Sequence, residues 1–150
     1  MYSAAKDVQY DVSTAHRRRA LFSTFTNSEA TGRGQTGTFA QISRSPHAVI
    51  DTFATWTGAG EPDAPFVARQ ERANAAREFL DRSSGRDKKG WQAVTDSNSS
   101  IGTTLAKLGQ TATADLLEHA YILTMVNLFV LHDMAELKPV SRQRFEALCK

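Results

Sequence analysis

At 150 residues, 41% hydrophobic and 23% charged, the chain is long enough for one globular domain and too apolar for wholesale disorder. A net charge of +2 permits an acidic partner without requiring one. The single cysteine, Cys149, excludes an intrachain disulfide and favours a reducing compartment.

The N-terminal MYSAAKDVQYDVS lacks the apolar stretch of a secretory signal. Tyr2 stands where myristoylation needs glycine, and the terminal LCK is no prenylation box. The expectation is a cytoplasmic or otherwise intracellular protein. Ser13 is placed to cap a first helix through HRRRALFSTF, with Ala20, Leu21 and Phe25 as its apolar side. Residues 1–60 carry six cations (Lys6, Arg17, Arg18, Arg19, Arg33, Arg44) against four acids (Asp7, Asp11, Glu29, Asp51). Residues 61–150 balance, so the positive excess is N-terminal. Residues 26–38, polar and glycine-bearing, read as a loop or extended arm, and residues 1–12 as another.

SPHAVIDTFATWTG reads as a helix, with Ser45 at its N-cap, Pro46 in the first turn and Gly58 just past the end. Its Val49, Ile50, Phe53 and Trp56 make one inward face. After the break EPDAP, a third helix runs from about Pro65 to Arg82. Phe66, Ala73, Ala76 and Leu80 share its buried side, and Glu78 pairs with Arg82 on the wet side. RSSGRDKKG reads as an exposed polar loop, beyond which Trp91 and Val94 begin a short amphipathic piece. DSNSSIG reads as the cap of a further short helix through Leu105 and Leu108, stopped by Gly109. Thr113 then caps a long helix, about 114–138, which Pro139 ends. Ser141 opens a last helix carrying Phe145 and Leu148. TGTFAQIS alternates briefly but has no hairpin partner, and no internal repeat is visible. The predicted fold is all-α: one domain over 1–150, a compact bundle of five to seven helices around the long apolar one.

Within that long helix, AYILTMVNLFVL holds twelve residues without a charge. Twelve residues rise only ~18 Å, short of the ~30 Å hydrocarbon slab, so no membrane span is expected. Glu118, His132, Asp133 and Glu136 share one side and predict water there. Ile122, Met125 and Phe129 occupy the middle of that same side, opposite a core stripe of Leu116, Leu123, Val130 and Met134. Thr124 and Asn127 are polar groups that a central helix must satisfy. Two apolar surfaces on one helix need two covers. Either the shorter helices wrap it, or Ile122, Met125 and Phe129 meet a second subunit or a protein partner.

Chemical motifs are weak by comparison. GRGQTG matches a dinucleotide-binding loop by letter but follows a helix-like segment, and Asp51, at about the right distance, sits on a helix. Asp115 with His119, and His132 with Glu136, are i,i+4 pairs that lie ~20 Å apart and supply too few ligands for zinc. Cys149 has no neighbouring histidine, and SAAK lacks the partner motifs of a serine hydrolase. No catalytic, metal or cofactor residue is therefore expected. HRRR is the densest charge: Arg17, Arg18 and Arg19, with Arg33 and Arg44, can reach phosphates or an acidic partner. Arg86, Lys88 and Lys89 beside Trp91 have the basic-plus-aromatic character of a single-strand site.

The leading expectation is a non-enzymatic helical structural or assembly protein. It would self-associate, coat- or nucleocapsid-like, and contact nucleic acid through its basic N-terminal region. Two alternatives stand beside it: a small monomeric binding module, adaptor or inhibitor, acting on a protein, and an enzyme whose dispersed site leaves no sequence signature.

Overall fold

The computed structural model describes residues 16, 17, 20, 40–55, 64–101, 108–133 and 136–149, with backbone alone at 64–66. The chain divides into two units, 1–39 and 40–150. In the first, the described residues His16, Arg17 and Ala20 are helical and exposed. The cap expected at Ser13, the apolar Leu21 and Phe25, and the arms at 1–12 and 26–38 lie outside the described residues. The second unit holds five described helices: α1 (Pro46–Thr55), α2 (Ala64–Ser83), α3 (Lys88–Ser99), α4 (Gln110–His132) and α5 (Arg142–Leu148). Among the described residues there is no strand, including the described part of TGTFAQIS, so the class is all-α.

Helix α1 begins as its residues dictate. The Ser45 Oγ accepts from the Ala48 N–H at 3.3 Å, and Pro46 occupies a first-turn position whose N–H would have no partner. Val49 and Ile50 are buried and Phe53 packs on the core; Trp56 and Gly58 lie outside the described residues. On α2, Ala73, Ala76 and Leu80 are fully buried, and the alanines leave room for α1 and α4 to pack against it. The side chain of Phe66 lies outside the described residues. Two α2 side chains satisfy late carbonyls of their neighbours: Arg72 Nε donates to Val130 O at 3.0 Å and Gln70 Nε2 to Ala54 O at 3.3 Å.

Four boundaries differ appreciably from the sequence reading. The loop after α2 is short, because the Asp87 carboxylate accepts from the Gly90 N–H at 2.7 Å and starts α3 at Lys88. DSNSS is then the second half of α3 instead of a new cap. Ser99 and Ser100 donate their hydroxyls to the Thr95 and Ser97 carbonyls, both at 2.7 Å, and keep the turn helical. Leu105 lies outside the described residues and Leu108 is not helical. Helix α4 starts after Gly109, so Thr113 sits inside its first turn, donating its hydroxyl to Gly109 O at 3.1 Å. It ends at Asp133, whose φ of 54° is left-handed and whose N–H donates to Phe129 O at 3.2 Å. That turn, well before Pro139, sends the chain back along α4.

The returning segment covers the side of α4 that lacked a cover in sequence. The Lys138 N–H donates to Met125 Sδ at 3.4 Å, the Tyr121 hydroxyl to Lys138 O at 3.5 Å, and Leu137 packs on the core. Ile122 and Met125 are only 3% and 5% exposed, and Phe129 is half-buried against the same core. The surface read as a candidate subunit contact is therefore internal packing. Each of the other four described helices touches α4. By length and composition α4 could cross a membrane, but half of its most apolar stretch is buried inside the protein. Of the charges expected to face water, Asp133 and Glu136 are exposed just past the end of α4, while along the helix water meets Leu117 and Thr124, about a third of a turn away. Buried Asn127 donates its amide to Leu123 O at 2.6 Å, which meets its polar requirement within the helix.

Candidate functional site

Ala48, Asp51, Thr52 and Thr55 fall on one face of α1 by helical spacing, and Thr52 and Thr55 are exposed. Arg44, in the turn before α1, lays its side chain along this face. Its Nη2 donates to Thr52 Oγ1 at 2.8 Å and to Ala48 O at 3.3 Å. From α2, Arg77 Nη2 donates to Asp51 Oδ1 at 2.9 Å. From the first turn of α3, Lys88 Nζ lies 3.6 Å from the other oxygen, Oδ2. Three elements thus deliver three cations to a helix face that carries one carboxylate. The Arg77 hydrogen bond first, and then the Lys88 and Arg77 charges, hold the Asp51 carboxyl below its ordinary range. Lys89 is exposed on the next position of α3.

Of the cations singled out in sequence, Arg44 and Lys88 meet at this face. Arg17 is exposed in the other unit, while Arg18, Arg19 and Arg33 lie outside the described residues. Arg77 was missed, since it belongs to no charge cluster and reaches Asp51 from 26 positions away. Arg86 is half-buried and Trp91 leaves the surface altogether. Trp91 is fully buried and donates its indole N–H to Ser84 Oγ at 2.9 Å, so it offers no face for base stacking. Among the described residues the exposed large apolar side chains are Ile42, Val67, Leu117 and Leu148, none of them aromatic.

Arg86 turns inward to a charge network. Its Nη2 donates to Asp115 Oδ1 at 3.0 Å and to Glu118 Oε2 at 2.8 Å, and its guanidinium carbon stands 5.7 Å from the Trp91 ring centre. Arg142 of α5 closes the square: its Nη1 donates to the same Asp115 and Glu118 oxygens, the latter at 3.0 Å. Glu146 takes the Arg142 Nε at 3.1 Å. Burial opposes the Arg142 charge, yet the bonds to Asp115, Glu146 and Glu118 outweigh it and hold its pKa above the ordinary value. Glu118, which reads in sequence as water-facing, is 5% exposed because two guanidiniums replace its water.

One turn from Asp115, His119 goes to different partners. Its Nε2 lies 3.1 Å from the Arg44 carbonyl, which can only accept, so this nitrogen carries the proton. The unprotonated Nδ1 accepts from Asn98 Nδ2 at 3.1 Å. Thr95 Oγ1, donating to Trp91 O at 2.8 Å, flanks the ring, and the Trp91 ring lies 6.0 Å away. Burial, against the Arg44 carbonyl and the Glu118 charge, keeps this imidazole below its ordinary pKa. In the second expected pair, Glu136 lies past the end of α4 and is joined to Lys138 at 2.6 Å. Among the described residues no three His, Cys, Asp or Glu side chains gather as metal ligands. Cys149 is half-buried, with its thiol 3.2 Å from Phe145 O.

These carboxylates and the imidazole are engaged in structural bonds, whereas the α1 face presents its cations to solvent. Comparison with known proteins finds no matching family model, no matching curated protein and no matching solved structure.

Proposed function

We propose that this chain is a non-enzymatic helical protein, a bundle with α4 as its axis, that contacts the phosphate backbone of nucleic acid. In this reading it assembles along the nucleic acid as a coat or nucleocapsid subunit does, inside the cell. The observation that carries the proposal is the meeting of Arg44, Arg77 and Lys88 around Asp51 on the outer face of α1. Positive groups drawn from three separate elements make a surface that suits a polyanion better than a small neutral ligand. The exposed Arg17 adds charge in the N-terminal unit. Without an exposed aromatic among the described residues, contact rests on phosphates and is indifferent to base sequence.

Self-association does not use Ile122, Met125 and Phe129, which the chain covers itself. It depends instead on the nucleic acid gathering several copies. Light scattering of the full chain, alone and with a mixed-sequence oligonucleotide, tests the reading at low and moderate salt. The expected result is a small species alone and a larger complex with nucleic acid that dissolves as salt rises. A strict monomer, unmoved by nucleic acid at either salt, overturns it.

A further inference from the structure

We infer that the Asp51 carboxylate is a built-in stand-in for a phosphate: a backbone phosphate of nucleic acid displaces it from Arg77 and Lys88, while Arg44 takes the neighbouring phosphate. The inference rests on the nucleic-acid reading above and assigns it a seat. Arg77 and Lys88 grip opposite oxygens of Asp51, at 2.9 and 3.6 Å, which is the arrangement that a phosphate with its several acceptor oxygens would also satisfy. The Asp51 side chain is 47% exposed, so solvent and a ligand both reach it. Ion pairs this open are weak, and exchanging one anion for another there costs little.

Arg44 supplies the reason to expect more than an internal ion pair. Its guanidinium bonds the Thr52 hydroxyl and the Ala48 carbonyl, both neutral groups that leave its full charge available. Thr52 follows Asp51 directly, so the Arg44 charge stands beside the Asp51 seat on the same exposed helix face. The other concentration of arginine offers no such seat. Arg86 and Arg142 already share Asp115 and Glu118, whose carboxylates are three-quarters or more buried.

The test is binding of a fluorescent mixed-sequence oligonucleotide, single-stranded and duplex, to the full chain over a series of salt concentrations. Asp51→Asn is expected to tighten binding about two- to fivefold at low salt, because it removes the competing anion. Glu71→Gln makes the same change in net charge at an exposed position of α2, a third of a turn round from Arg77, and is expected to do much less. Arg44→Gln and Lys88→Gln are each expected to weaken binding and to reduce the salt slope by about one. Both are exposed surface positions, so these two variants keep the test informative even if Asp51→Asn lowers stability. If Asp51→Asn binds no tighter than Glu71→Gln, Asp51 is only a structural partner and this inference falls, although the nucleic-acid reading survives. If the unaltered chain shows no salt-dependent binding, both fall together.

Discussion

His119 shows how much a single residue depends on partners remote in sequence. On a helical wheel it pairs with Asp115, four positions earlier, and that geometry is indistinguishable from a solvated surface pair. The folded chain instead buries it completely and surrounds it with the Arg44 carbonyl, Asn98 and Thr95, 75, 21 and 24 positions away. Only the neutral ring suits this setting, because protonating Nδ1 would turn it against the donor of Asn98. Glu118 is the charge beside it, and Arg86 stands beyond Trp91. Its folded pKa lies below the ordinary 6.5, so the unfolded chain binds the extra proton between the two values. Stability from His119 is therefore present above pH 6.5 and lost as the pH falls below it. The unfolding free energy is expected to fall as the pH drops below 6.5, with a limiting slope of ~1.4 kcal/mol per pH unit. His119→Gln should flatten that dependence; a variant that keeps the full slope places the titration at another group. Asp51 acts in a separate and lower window. Its carboxyl is depressed below 3.8, so its contribution is lost only as the pH falls under that value.

At the scale of elements, the short α5 raises a question of what holds it. Seven residues carry too few hydrogen bonds to be stable alone. Phe145 enters the core beside Tyr121, and Arg142 ties the helix to Asp115 and Glu118 of α4, which also anchor the 84–87 turn through Arg86. Arg142→Met is expected to cost about 1–3 kcal/mol, between the value of an exposed pair and that of a fully buried one. Adding Glu118→Gln should recover part of the loss, since it removes the carboxylate left short of a partner. A urea midpoint within surface-substitution error for Arg142→Met would show that packing alone holds α5. The caps of α1 and α3 illustrate the opposite case, in which a local side chain decides. Ser45 was legible as a cap because a helix-forming pattern follows it directly. Asp87 was not, because a run of charged and glycine residues looks like loop until the carboxylate meets the Gly90 N–H.

For the whole molecule, the informative residue is Met125. An apolar side chain opposite a recognised core stripe is equally consistent with a subunit contact and with internal packing. The left-handed turn at Asp133 resolves it by returning the Lys138 backbone to Met125 and Tyr121, with Leu137 on the core. Met125→Glu is thus expected to destabilise the isolated chain by at least about 2 kcal/mol, by emptying a buried site and desolvating a carboxylate. Normal thermal stability of that variant, with a change only in association, would restore the interface view.

The residues by themselves determined the helical class, the inward faces of α1 and α2, and the apolar character of α4. Those follow from spacing and capping, which act over a few positions and leave a periodic trace. Tertiary structure alone decided which charges face water and which side of α4 is covered. Glu118 and His119 look solvated until arginines, an asparagine and a backbone carbonyl arrive from 21 to 75 positions away. The same long reach brings Arg77 and Lys88 to the face of α1 that Arg44 already lines from the turn before it. Charge in sequence records the need for a partner, and only folding supplies the partner's identity.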